Sequence, residues 1–205
     1  MVAQTIEGRV KPAREKRIER PWPPRQGEWT YEDWLRLPGD GWRYEVIKGV
    51  LHMTAAPTPR HQRVSRRLER ALEDFIWEHN LGELLHAPID VMLPGQETPV
   101  EPDIVVIPGD HPEMVGEQHI AGAPLLVVEV LSPSNWWVDR REKVVLYAET
   151  GVPEYWIVDP DAGTIEVFIL REGTYALLGR WGAGEVARSE VLPGFEIAVD
   201  AVFAR

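Results

Sequence analysis

The sequence predicts an α/β domain built on a mixed β-sheet, and three observations support this fold class. Two short apolar runs rich in β-branched residues, 104–107 and 125–131, have the length of buried strands. Amphipathic helical patterns lie on both sides of these runs in the chain. The predicted order is helix, strand, strand, strand, helix, strand, with hairpin patterns on both flanks, which is typical of a mixed sheet covered by helices.

The first predicted elements are a short helix and a β-hairpin. Thr30 is a predicted N-cap because Asp33 stands at the third helical position. The segment RYEVIKGVLHM alternates as two strands, with Lys48 and Gly49 forming the turn. Glu45 lies within the first strand of this hairpin, where a charged residue usually faces solvent.

A long amphipathic helix follows, from Pro59 to about Asn80, with Thr58 as its N-cap. Apolar residues at helical spacing should face the core: Val64, Leu68, Ala71, Leu72 and Phe75. The opposite side is rich in arginine and is either a solvated face or a surface for an anionic partner. The candidates for nucleic-acid contact are Arg60, His61, Arg63 and Arg67. His61 lies near the apolar stripe, which favours a hydrogen-bonded core histidine over a metal ligand.

The second half of the chain contains further strands and one short helix. GELLHAPIDVML alternates as a strand, and the segment 108–124 is a Gly-rich and Pro-rich loop that could border a site. Asp139 with Glu142 forms a capping-box pattern for a helix that ends at Gly151. EYWIVDP predicts the next strand, GTIEVFIL and TYALLGRW predict a hairpin, and a short strand with a terminal turn completes the chain.

Composition sets limits on domain number, location and partners. The 205 residues, 44% of them hydrophobic, suit one domain over 29–205, preceded by a basic arm and Pro-rich linker over 1–28. The arm carries seven Arg or Lys against four Glu, 7 − 4 = +3, whereas the whole chain has a formal net charge of −11. Any binding of nucleic acid must therefore be confined to a part of the surface where positive charges are clustered. The chain has no cysteine and no long apolar run, which predicts a cytoplasmic protein without membrane contact.

Two carboxylates stand where buried strands would favour hydrophobic residues. Asp103 opens the first apolar run and Glu129 interrupts the second, so each needs a cation, a proton or a metal ion. If the strands are neighbours, the two carboxylates meet and raise each other's proton affinity. Oxygen ligands without Cys suit Mg²⁺ or Mn²⁺. The alternative is purely structural: Asp103 begins a strand, and Glu129 forms a buried ion pair with Lys143.

Nucleotide-binding glycine motifs and the G-x-S-x-G motif of serine hydrolases are absent from the sequence. Six motifs instead carry a resemblance: RYEVIKG, PRHQRV, VEPDIVV, LLVVEVLSPS, the helix of Asp139, Lys143 and Tyr147, and GVPEYWIVDP. Together they resemble the Uma-two family of bacterial restriction endonucleases, within the PD-(D/E)XK nuclease superfamily. The resemblance covers about residues 30–203.

The resemblance implies a restriction-endonuclease-like core of α-β-β-β-α-β order and a divalent-metal site that acts on DNA. Pro102-Asp103 matches the PD element, Glu129 matches the second carboxylate, and Glu45 matches a further acidic position of the family. These three carboxylates are then the implied metal ligands, with Mg²⁺ or Mn²⁺ as the ion.

One position departs from the superfamily pattern. Leu131 stands where the catalytic lysine is usual, and Lys143 of the following helix is the residue that could supply the same charge. Two functions from different classes remain: a metal-dependent DNA endonuclease, or a non-catalytic oligomeric binding protein that keeps the nuclease core. The second would use Trp136, Trp137 and the arginine-rich helix face for contacts, although both tryptophans are also explained by core or dimer packing.

Overall fold

The protein is built from twelve strands and four α-helices within the described residues. A computed structural model describes residues 21–133 and 136–204, so residues 1–20 of the predicted arm lie outside the described part. The elements in chain order are α1 (Tyr31–Trp34), β1 (Arg43–Ile47), β2 (Val50–Thr54), α2 (Pro59–His79), β3 (Gly82–His86), β4 (Val91–Met92), β5 (Ile104–Pro108), β6 (Ile120–Ala121), β7 (Leu126–Val130), α3 (Val144–Glu149), β8 (Glu154–Asp159), β9 (Thr164–Arg171), β10 (Thr174–Trp181), β11 (Val186–Arg188), β12 (Glu196–Ala198) and α4 (Val199–Phe203).

Six strands form the central sheet, in the order β10-β9-β8-β7-β5-β3. Strands β7 and β8 pair in parallel, and the other neighbours pair antiparallel. This confirms the predicted mixed sheet. Strand β5, which begins directly after Asp103, and strand β7, which contains Glu129, are neighbours as predicted. The parallel pair is joined through α3, as a parallel connection requires a crossover.

The sheet has a hydrophobic core on each face, because alternate residues of its strands point to opposite sides. Val106 and Val128 belong to the cluster that contains Leu68 of α2. Val105 belongs to the opposite cluster, with Tyr147 of α3. The α2 side supports the sheet, and the α3 side holds most of the candidate site.

Helix α2 matches its prediction closely. The Thr58 side chain accepts a hydrogen bond from the His61 amide at 3.2 Å, and Asn80 ends the helix in the left-handed conformation with φ 51°. The buried apolar residues are Val64, Leu68, Leu72 and Ile76, with Ala71 and Phe75 partly buried against the same core. The helix therefore presents His61 at its first turn, where its N-terminus reaches the edge of the site.

Helix α1 and the β1–β2 hairpin are also confirmed. The Thr30 hydroxyl and the Asp33 carboxylate form the predicted capping box. Lys48 and Gly49 form the turn with φ values of 49° and 76°, the left-handed conformation that such hairpin turns require. The hairpin is separate from the central sheet and is tied to the loop before β5 by the Thr98 hydroxyl, which donates to the Val46 carbonyl at 2.6 Å.

The prediction of one continuous strand from GELLHAPIDVML is wrong, because the segment forms two separate strands. Strand β3 ends at His86, and β4 belongs to another sheet, where it pairs in parallel with β6. Pro88 lies between them, and a residue without an N–H cannot continue the ladder. The loop predicted over 108–124 contains a 3₁₀ turn, Pro112–Met114, and the short strand β6.

The predicted N-cap at Asp139 is also wrong. The helical segment already includes residues 136–137, and a π-helical turn, Val138–Lys143, precedes α3. Asp139 is therefore inside the helix and only 4% exposed. A π-helical turn alters which side chains face the sheet and is frequent at functional sites. Here it directs Asp139 and Lys143 towards the same cavity.

The C-terminal part closes the fold around the α2 face. Strands β9 and β10 form the predicted hairpin, and β11 pairs antiparallel with β12 before α4. Residues of α4 join the same core as α2. Within residues 21–133 and 136–204, no helix is long and apolar enough to cross a membrane.

Candidate active site

Asp103 and Glu129 face each other across two antiparallel strands. Ile104 of β5 pairs with Val128 of β7, and the same register one position further sets Asp103 opposite Glu129. The Val130 amide donates to Asp103 Oδ2 at 2.8 Å, which fixes the aspartate at the end of the pair. Both carboxylates are buried, with 4% and 3% of their surface exposed. The sheet register therefore creates the acidic pair that the sequence predicted.

Lys143 reaches back over the strand that carries Glu129. Its Nζ lies 2.8 Å from Glu129 Oε1 and 3.0 Å from Glu45 Oε1, and it is almost fully buried. Asp139 Oδ1 lies 3.6 Å from the same nitrogen, one helical turn away. Tyr147 donates its hydroxyl to Glu129 Oε1 at 2.8 Å, so the predicted common face of this helical segment is present. A lysine thus stands beside the second carboxylate although the strand itself carries none.

Glu45 does not face solvent as expected for a charged hairpin residue. It is 2% exposed, because β1 turns it towards Lys143, and its Oε1 also accepts a hydrogen bond from the Glu101 amide at 3.0 Å. A buried carboxylate is tolerated where a cation and hydrogen bonds replace the lost water. The hairpin therefore contributes a third carboxylate to the pocket.

Asp103 is surrounded by donors. His61 Nε2 lies 3.1 Å from Asp103 Oδ2, and Arg43 Nη1 lies 3.4 Å from Asp103 Oδ1. Burial alone would raise the pKa of Asp103, but His61, Arg43 and the Val130 amide outweigh it and lower that pKa. The expected rise in proton affinity is therefore wrong for Asp103. His61 is the buried, hydrogen-bonded histidine that the helix pattern predicted.

The other acids respond to burial in the opposite direction. Burial raises the pKa of Glu129 well above its usual value, and Asp139, Asp103 and Glu45 add to the rise against the attraction of Lys143. Burial and the neighbouring carboxylates likewise raise the pKa of Asp139 to about 7. Burial alone would lower the pKa of Lys143, but the surrounding carboxylates raise it, so the lysine stays charged. The cluster therefore has more acid than its cations neutralise.

This imbalance tests whether a divalent cation fits. Four carboxylates, those of Glu45, Asp103, Glu129 and Asp139, line a cavity of about 170 Å³ together with Lys143 and Arg43. Among residues 21–133 and 136–204, Asp139 Oδ1 is buried and has no hydrogen-bond partner. Oxygen donors in excess of cations suit Mg²⁺ or Mn²⁺.

The present arrangement is not a preformed coordination shell. In the part of the chain that the structure describes, no three His, Cys, Asp or Glu side chains are gathered closely enough to hold an ion. The oxygens of Glu129 and Glu45 are directed at Lys143 instead. The donor chemistry fits a hard cation, and an ion would have to exchange for part of the Lys143 contact.

The predicted nucleic-acid contacts on α2 are dispersed. Arg63 is exposed, whereas Arg60 is paired with Asp161 at 2.9 Å and Arg67 donates to the carbonyls of Val202 and Ala204. Their contact with nucleic acid stays a prediction.

Arg43 lies beside the acidic pair, although no motif of the sequence assigned it to the site. Arg43 precedes Glu45 by two residues, so the strand period that places one on the site face also places the other there. That spacing was the signal available in the sequence. Arg66, from the arginine-rich face of α2, lines a larger cavity beside the site with His61 and Asp103.

The fold and the motif order match known proteins. A crystal structure described as a "putative nuclease belonging to DUF820" from Anabaena variabilis ATCC 29413 superposes with a TM-score of 0.69 at 16% identity, over 85% of this chain and 97% of that chain. No curated protein matches the sequence. The sequence profile of the Uma2 family, described as "Putative restriction endonuclease", matches residues 31–200. With that span matched, the chain belongs to the Uma2 family.

Proposed function

We propose that the protein is a metal-dependent endonuclease that hydrolyses phosphodiester bonds of DNA. The observation that carries this proposal is the convergence of Glu45, Asp103, Glu129 and Lys143 on one cavity. Hydrolysis of a phosphodiester requires charge stabilisation at the phosphoryl group and a deprotonated water, and this set of side chains is suited to both.

Asp103, Glu129 and Glu45 are the proposed metal ligands. When bound, Mg²⁺ or Mn²⁺ would neutralise phosphate charge and make water more acidic. Lys143 is held with its ammonium group beside Glu129 and would stabilise negative charge that develops on the phosphoryl oxygens. Arg43 lines the same cavity and would orient the phosphate.

A specific observation also supports the second candidate function. The buried contacts of Lys143 with Glu129 and Glu45 are those of a structural ion pair, which needs no metal. Trp136 and Trp137 are 50% and 41% exposed, so neither is a core residue of this chain. A binding protein that keeps the nuclease core and uses these tryptophans is the alternative.

A cleavage assay separates the two functions. Purified protein should nick or cut DNA with Mg²⁺ or Mn²⁺, and EDTA should stop the reaction. Asp103→Ala and Glu129→Ala should each lose nearly all activity because the ion loses a ligand. Lys143→Ala should bind metal and cleave far more slowly, since it lacks the stabilising charge. Circular dichroism in the same metal buffer checks that each variant is folded.

Two results would contradict the proposal. Cleavage by Lys143→Ala at the wild-type rate would remove Lys143 from the mechanism. No cleavage of single-stranded or duplex DNA by wild-type protein at high concentration, with either metal, would favour the binding protein.

A further inference from the structure

A second and larger cavity opens beside the proposed active site. It has a volume of about 620 Å³ and shares Arg43, His61 and Asp103 with the smaller one, so the two are continuous. Trp42 and Arg66 line it as well, and 48% of the Trp42 surface is exposed. Its size lies within the range of roughly 300–1,000 Å³ found for pockets that hold small organic ligands. The cleft can therefore accept a nucleotide unit directly next to the acidic pair.

The charges of this cleft do not suit a rigid duplex. Arg43 and Arg66 face the carboxylates of Glu69, Glu101 and Asp103 within the same lining. Duplex binding depends on many simultaneous phosphate contacts with clustered cations, and the chain as a whole has a formal net charge of −11. The mixed charge of the cleft therefore favours a ligand that makes few phosphate contacts over a double helix.

The cleft offers the other contacts that single strands use. Trp42 lines the same cleft as Arg43 and Arg66, and an exposed tryptophan is a stacking platform for an unpaired base. His61 lines the cleft as well, from the first turn of α2. Gln62 and Ser65 line the same wall and can bond base edges.

From these contacts we infer that the cleft binds an unpaired nucleotide next to the cleaved phosphate, with its base stacked on Trp42. The substrate class is then single-stranded DNA, or a single-stranded segment such as a flap or a frayed end. This inference rests on the proposed nuclease function for its cleavage step, while the binding step stands on the cleft alone.

Fluorescence anisotropy with labelled oligothymidylate, and with a duplex of equal length, tests the binding step. Ca²⁺ replaces Mg²⁺, and a gel verifies that the oligonucleotide stays intact. Wild-type protein should bind the single strand more tightly than the duplex. Trp42→Ala should weaken single-strand binding about fivefold or more, the effect expected from the loss of one stacked base.

The matched control is Trp77→Ala. Trp77 also belongs to the exposed tryptophans, at 87%, but lies on α2 about 16 Å along the helix axis from Arg66. The Trp77→Ala variant should bind the oligonucleotide with the same affinity as wild type. Equal affinity of Trp42→Ala and Trp77→Ala, or tighter binding of the duplex, would overturn the inference.

Cleavage assays distinguish failure of this inference from failure of the proposed function. Tight single-strand binding that depends on Trp42, without cleavage in Mg²⁺ or Mn²⁺, would support single-strand binding by the cleft and contradict the proposed nuclease function. Cleavage of duplex and single strand at equal rates, unchanged in Trp42→Ala, would support the proposed nuclease function and contradict single-strand binding by the cleft.

Discussion

Asp103 and Asp139 are both buried aspartates of one cavity, but their surroundings favour opposite protonation states. Asp103 accepts hydrogen bonds from the Val130 amide and His61, and its pKa is lowered although burial opposes this. Asp139 Oδ1 has no hydrogen-bond partner among the described residues, with Lys143 Nζ 3.6 Å away, and burial raises the pKa of Asp139 to about 7. The charge of Asp103 therefore stabilises the metal-free fold, whereas the charge of Asp139 opposes folding.

Asp103→Asn should lower the free energy of unfolding of the metal-free protein by about 1–3 kcal/mol at neutral pH, because charge-assisted hydrogen bonds are lost. Asp139→Asn is the matched control, since the neutral amide resembles the protonated acid and should cost little. Urea unfolding in EDTA measures both. Equal losses in the two variants would contradict the assigned difference between these aspartates.

Stability should also depend on pH through Asp139. Its pKa is raised from 3.8 to about 7 in the folded protein, so its contribution to stability is present below about pH 4 and is lost as the pH rises through 7. The metal-free wild type should lose on the order of 1–3 kcal/mol between about pH 5.5 and pH 8 on this account. Asp139→Asn should make that decline smaller, and the raised pKa of Glu129 accounts for what remains. Urea unfolding measures the free energy of unfolding at each pH. The same dependence on pH in the variant and in wild type would contradict the contribution assigned to Asp139.

The β1–β2 hairpin is the element that completes the site, because it carries Arg43 and Glu45. Its register pairs Glu45 with His52, and the turn at Gly49 sets that register. A Cβ at Gly49 would lie 2.6 Å from the Gly27 carbonyl oxygen, so the preceding segment is packed directly on the turn. Displacement of this turn should therefore disturb the acidic cluster.

Gly49→Ala should destabilise the protein more than Gly163→Ala, by about 1–2 kcal/mol. Both glycines have positive φ, but a Cβ at Gly163 would meet no atom of the described residues within 4 Å, so the difference isolates the Gly27 contact. The melting temperature and the rate of DNA cleavage should both be lower in Gly49→Ala than in wild type. Equal stability of the two variants would show that the Gly27 packing contributes nothing.

Elements with strong local signals could be predicted from the sequence. The capping box of Thr30, the Lys48-Gly49 turn and the Thr58 N-cap are each determined by neighbouring residues, and all are present. The burial of Glu45 could not be predicted in this way, because it depends on Lys143, which is distant in the chain. The capping pattern at Asp139 misled because tertiary contacts overrode a local preference.

The candidate site is a property of the whole molecule. Asp103 and Glu129 could be identified because a carboxylate in an apolar strand is conspicuous. Lys143 followed as a cation that could pair with Glu129, and the resemblance added Glu45. The role of Arg43 and the cleft of Trp42 appear only when hairpin, α2 and the loop before β5 come together. A sequence pattern cannot show such an arrangement, because its parts are separated by tens of residues.

In the proposed site the buried carboxylates are the metal ligands, and Lys143 is the cation that pairs with them in the metal-free protein. Isothermal titration of the metal-free protein with Mn²⁺, repeated with Mg²⁺, tests this directly and does not require activity. We expect saturable binding that is lost in Glu129→Gln and retained in Lys143→Ala. Absence of binding in the wild type, or binding unchanged in Glu129→Gln, would contradict the claim and leave the cluster a structural ion pair.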